Sequence, residues 1–134
     1  MIQGYGLLRP SKKPKAPKHG LNAPTLIRSA KHLKWVRSLH CIDPLCERRD
    51  IEAAHVSDCP KSERGGIGEK ASDVMVVPMC RELHARAHRV GHETVEREVL
   101  PPNVTLAEWA IKVIARESPD ERVRQRAAEL KARL

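Results

Sequence analysis

Cysteine and histidine are the side chains best suited to hold a metal ion or move a proton near neutral pH. In this 134-residue chain the informative ones fall in the order Cys41, Cys46, His55, Cys59, Cys80, His84, His88 and His92. Cys41 and Cys46 flank a turn that contains Pro44, a spacing that lets two sulfurs face one ion. Cys80 offers a third thiolate further along, and Cys59 is a possible fourth. The alternative is that these thiols are simply small buried hydrophobes. His84 and His88, four residues apart, share one face of any helix that carries them, within reach of a common ion. Exposed histidines also arise at this spacing without a ligand. His92 continues the series beyond Gly91, which is expected to break the helix first. His55 lies in the apolar segment Ala53-Ala54-His55-Val56, where a lone imidazole is either a satisfied core residue or a general base.

These residues need elements to position them. Leu26, Ala30, Leu33, Val36 and Leu39 recur at spacings of three and four, which predicts a helix over 25–39 leading to Cys41. Arg28, Lys31, Lys34 and Arg37 follow the same period on the opposite side, a basic face for phosphates or for water. The turn-rich stretch from Asp58 to Lys70 predicts a long surface loop. The run from Val74 to Met79 predicts a strand delivering Cys80, followed by a helix from Arg81 to Arg89 that bears His84 and His88. Two helix-start signatures follow, Thr105 with Glu108 and Ser118 with Glu121, the second with Pro119 at the first helical position.

Charge is unevenly placed. Of 25 Lys and Arg against 17 Asp and Glu, nine basic residues and no acid fall in residues 1–40. Lys12, Lys13, Lys15 and Lys18 crowd a Pro-rich stretch with too few apolar side chains to repay ordering, so residues 1–24 are expected to form a basic mobile arm. A basic arm on a near-neutral body is the footprint of a phosphate-backbone binder, the other reading being a solubilising tail. Aromatic residues make up 2 % of the chain with no Phe at all, so one modest aliphatic core is expected, and a metal staple would reinforce it. The chain has no stretch of membrane-span length and no apolar signal region near Met1, which points to the cytoplasm and to cysteines that bind metal instead of pairing.

The segments HLKWVRSLHC, the Cys41/Cys46 pair, AAHVS, the Gly-rich GGIGEKASD, VVPMC and LHARAHRVG occur in an order that resembles the HNH nucleases of the ββα-metal superfamily, and in particular the phage-associated branch that includes Ref-like nucleases. The resemblance spans His32 to Gly91. It implies an α+β fold in which a two-stranded hairpin and a helix clamp a divalent ion, with a structural zinc beside it: an HNH core over 25–100 and a C-terminal helical segment over 101–134. By this resemblance His55 is the general base, His84 holds the catalytic ion (Mg²⁺, Mn²⁺ or Zn²⁺), and His88 is a second ligand of that ion or a phosphate contact. Cys41, Cys46 and Cys80 hold zinc, with the fourth ligand open between Cys59 and His84. Asp73 stands in for the middle Asn of the motif, orienting His55 or bracing the loop. DNA is the implied partner, contacted by Lys12, Lys13, Lys15, Lys18, Arg28, Lys31, Lys34, Arg37 and Lys70. Two positions depart from the pattern: Ala54 stands where the superfamily has an Asp or His ligand, and Leu83 where it has a fourth zinc ligand. These departures motivate the alternative of a zinc-binding nucleic-acid-binding module without catalysis.

Overall fold

The computed structural model describes residues 26–134; the arm with Lys12, Lys13, Lys15 and Lys18 lies outside the described residues. Among the described residues the fold is a small α+β arrangement of one two-stranded antiparallel sheet and five α-helices. Helix α1 (Ala30–Val36) opens it. Strands β1 (Ile51–His55) and β2 (Val76–Cys80) pair from Ile51 opposite Cys80 to His55 opposite Val76. Helices α2 (Arg81–Val90) and α3 (His92–Val99) follow, split at Gly91, whose φ is 91°. Helix α4 (Leu106–Trp109) runs on through a π-helical stretch (Ala110–Ile114) and a 3-10 turn (Ala115–Glu117), and α5 (Glu121–Lys131) closes the chain.

All residues of β2 are buried, because α1, α2 and the α4 segment cover it. This explains its unbroken apolar run, whereas β1 is half-exposed. Pro78 is tolerated in β2 because its missing N–H costs the short ladder little, and its carbonyl accepts a bond from Ile42 N–H at 2.8 Å. The core is aliphatic, built on Met75, Met79, Leu106, Ile111, Leu130 and a set of valines.

Helix α1 is shorter than predicted. Ser29 caps it by accepting the His32 N–H at 3.0 Å, so Leu26 to Arg28 precede the helix. Its inward face is also displaced: His32 and Val36 are buried while Ala30 is exposed. Helix α5 starts at the Asp120 cap, which accepts Arg122 N–H, and not at Ser118. Ser118 instead lies 2.8 Å from His32 Nδ1 in the interior. Thr105 caps α4 as predicted, accepting Glu108 N–H at 3.0 Å.

Candidate functional site

The sulfurs of Cys41, Cys46 and Cys80 lie within 4.8 Å of one another. The Pro44 turn brings Cys41 and Cys46 together, and the junction of β2 with α2 supplies Cys80. Each sulfur accepts a backbone N–H: Cys41 from Cys80 at 3.4 Å, Cys46 from Arg48 at 3.4 Å, and Cys80 from Leu83 at 3.3 Å. The last of these makes Cys80 the N-cap of α2. Burial pushes the Cys41 thiol up to about 11, so an ion must supply the drive for deprotonation. Zn–S bonds of about 2.3 Å at tetrahedral angles put sulfurs about 3.8 Å apart, which matches this spacing. The three cysteines can therefore hold a metal ion such as zinc. Cys59 and His84 are not part of this group: Cys59 is buried in the following loop, and His84 is turned toward Glu52.

A second set of side chains runs along α2. His84 Nδ1 lies 2.7 Å from Glu52 Oε1, and His84 Nε2 lies 3.2 Å from His88 Nε2. His92 follows, its ring centroid 6.2 Å from that of His88 and its Nδ1 3.4 Å from Ser57 Oγ. The chain break at Gly91 therefore does not remove His92 from the row. The hydrogen bond from His84, with Arg81 nearby, holds the Glu52 carboxyl below the usual carboxylate range against the opposing effect of desolvation. An ionised Glu52 accepts the Nδ1 proton of His84 and leaves a lone pair on Nε2. Glu52 was missed in the sequence. It lies two residues before Ala54, and strand alternation puts both on the face that meets α2, so the carboxylate absent at Ala54 is present one pleat earlier.

His55 faces the other way. Its Nε2 lies 2.8 Å from Asp73 Oδ1, and it does not touch the α2 histidines. Burial pushes the Asp73 carboxyl up, but the bonds from His55 and from Ser29 N–H (2.8 Å), with the Arg28 charge, more than reverse this and hold it below the ordinary value. An ionised Asp73 accepts the Nε2 proton, which in a neutral imidazole puts the lone pair on Nδ1. His55 lines a cavity of about 310 Å³ with Ser57, Arg64, Gly65, Glu69 and Lys70. Ser57 borders this cavity and its Oγ lies 3.4 Å from His92 Nδ1, so the far end of the histidine row reaches the segment that follows His55.

Among the described basic residues, Lys31, Lys34 and Arg37 are exposed along α1, and Lys70 is exposed beside the His55 cavity. Arg28 departs from the expected basic face. It lies outside α1 and grips the carbonyls of Lys70 (2.7 Å) and Ala71 and the carboxylate of Asp73 (3.4 Å). No helix among the described residues is long and apolar enough to cross a membrane.

A two-stranded sheet backed by helices, with three cysteines at its end that can hold a metal ion and a row of imidazoles along α2, defines a small α+β protein with a candidate metal centre. The chain belongs to the family described as "Protein of unknown function (DUF968)", whose model matches residues 10–98. That stretch takes in every candidate site residue described above. No curated protein and no solved structure matches the chain.

Proposed function

We propose that this protein is a metal-dependent DNA endonuclease of the HNH kind, with His55 as general base and a divalent ion on His84 and His88. One observation carries the reading. Two imidazoles, His55 on β1 and His84 on α2, are each tied through a single ring nitrogen to a carboxylate, Asp73 and Glu52 respectively, which leaves the other nitrogen for chemistry. Two ligands on a common ion with bonds of about 2.0–2.1 Å sit about 2.9–3.4 Å apart at octahedral to tetrahedral angles, and the Nε2 atoms of His84 and His88 are 3.2 Å apart.

The division of labour follows from the two pairs. His55 Nδ1 takes a proton from water as the water oxygen bonds to phosphorus and the bond from phosphorus to the leaving sugar oxygen breaks. Asp73 holds the Nε2–H tautomer and stabilises the imidazolium that forms. His84 and His88 would hold the divalent ion, which when bound would supply Lewis-acid stabilisation of charge on the phosphate and the leaving oxygen. Lys70 at the cavity and Lys31, Lys34 and Arg37 on α1 hold the DNA backbone, with Lys12, Lys13, Lys15 and Lys18 extending that contact and Arg28 bracing the loop.

Supercoiled plasmid incubated with the protein and Mg²⁺, Mn²⁺ or Zn²⁺ tests this. Wild type is expected to nick it and His55→Ala to be slower by about 10²–10⁴-fold. Plasmid left equally intact by both proteins in every metal sinks the reading. The compactness of the cysteine group favours a second reading, a zinc-stapled module that binds nucleic acid without cutting it. That reading predicts salt-dependent binding indifferent to His55→Ala and no nicking by either protein.

A further inference from the structure

The Gly-rich segment between β1 and β2 is a rigid projection. Gly66 to Glu69 forms a type II turn: Glu69 N–H bonds Gly66 O at 2.9 Å, and Gly68, at the third position, has φ 72°. The limbs of the loop touch so closely that a Cβ on Gly65 would lie 2.3 Å from Glu69 O and 2.5 Å from Lys70 O. Arg28 clasps the Lys70 and Ala71 carbonyls from outside. At the base, buried Glu63 pairs with Arg126 of α5 at 2.8 Å, and Ser72 N–H bonds Glu63 O at 2.8 Å. All this bracing presents one side chain. Ile67, at the turn's second position, is 103 % exposed, more than any other large hydrophobic residue among those described.

The same loop walls the cavity that holds His55, through Gly65, Glu69 and Lys70, with Arg64 and Lys70 exposed on its flanks. A phosphodiester held against His55 would pass this loop, with Arg64 and Lys70 near its backbone and the exposed Ile67 at the tip of the turn beside it. We infer that Ile67 is a wedge that inserts at a base step of duplex DNA next to the scissile phosphate, which makes easily unstacked steps the preferred substrate class. This rests on the nuclease reading. Apolar wedges of this kind unstack and kink a duplex, and flexible or mismatched steps yield most readily.

The test uses full-length protein carrying His55→Ala to prevent cleavage, and duplexes with 2-aminopurine beside either a central mismatch or a uniform G·C run. Binding is expected to raise 2-aminopurine fluorescence at the mismatch and to favour that duplex. Adding Ile67→Ala, on a fully exposed side chain that folding does not need, is expected to abolish the rise and weaken mismatch binding by about tenfold, matching the loss of one buried aliphatic side chain. Salt-dependent binding to the G·C duplex should persist, and Ile67→Leu should restore both signals. If Ile67→Ala keeps the fluorescence rise and the mismatch preference, the wedge is overturned while the nuclease reading stands. If no duplex binds and wild type cleaves none, both are overturned.

Discussion

The proton between Glu52 and His84 decides which histidine nitrogen is free, and on the proposed function it would set the affinity of the α2 row for an ion. Replacing Glu52 by Gln keeps the shape but lets His84 adopt either tautomer. A loss of about 10–100-fold in Mn²⁺ affinity by calorimetry is expected, with little change in melting temperature. Asp73→Asn should slow cleavage by about 10²–10⁴-fold and leave binding of uncut DNA nearly unchanged, because His55 keeps its place and loses its tautomer. His32 makes a different prediction. Its Nε2 is buried with no partner among the described residues, and burial, opposed by the charges of Asp73 and Asp120, brings its pKa down from 6.5 to about 4. The unfolded chain therefore takes up a proton that the folded one refuses. Stability from this site is full above pH 6.5 and falls by about 3 kcal/mol as pH drops toward 4. His92, also depressed by burial, adds in the same direction. Urea midpoints at pH 7 and pH 4.5 should differ accordingly, and His32→Gln should narrow the gap; an unchanged gap would mean His32 is not the cause. Neither Glu52 nor His32 was legible as important in the sequence. A charged residue on a strand edge and a histidine in a helix reveal their roles only once tertiary contacts decide which face is inward.

At the scale of elements, β2, the α2 helix and the Thr105 cap were readable because each has a strong local signal: a β-branched apolar run, a Gly stop and a hydroxyl cap. The inward face of α1 was not. Ala30 fits the apolar period yet is exposed, because α1 rests on the polar cluster of Asp73, Ser118 and Asp120, which draws Ser29 and His32 inward. The Asp58–Lys70 loop was recognised by composition, but its rigidity was invisible, since its braces come from Arg28 and Arg126, far away in sequence. Those braces can be tested. Removing Arg126 leaves Glu63, which is 2 % exposed, as an uncompensated buried charge. Arg126→Ala is expected to cost about 3–5 kcal/mol by denaturant titration, with Glu63→Gln in the same background recovering part of it. Gly65→Ala, which forces backbone atoms apart, should disturb the loop and lower cleavage more than it lowers melting temperature.

For the whole molecule, a 134-residue chain with few aromatic side chains is expected to gain stability from a metal held by its cysteines. Treatment with a strong chelator is expected to lower the melting temperature by several degrees, and Cys46→Ser to mimic this without further loss on chelation. Cys80 gives that site a longer reach. Its sulfur both belongs to the cysteine group and caps the helix that bears His84 one turn later. A thiolate neutralised by zinc is a fixed acceptor, so filling one pole of α2 steadies the other. The two ions should then be cooperative and, by thermodynamic reciprocity, equally so in both directions. One equivalent of zinc should tighten Mn²⁺ binding at the histidines by about fivefold or more, and Mn²⁺ should slow zinc release to a chelator. The cysteines would then act as an allosteric gauge of metal supply for the histidine row.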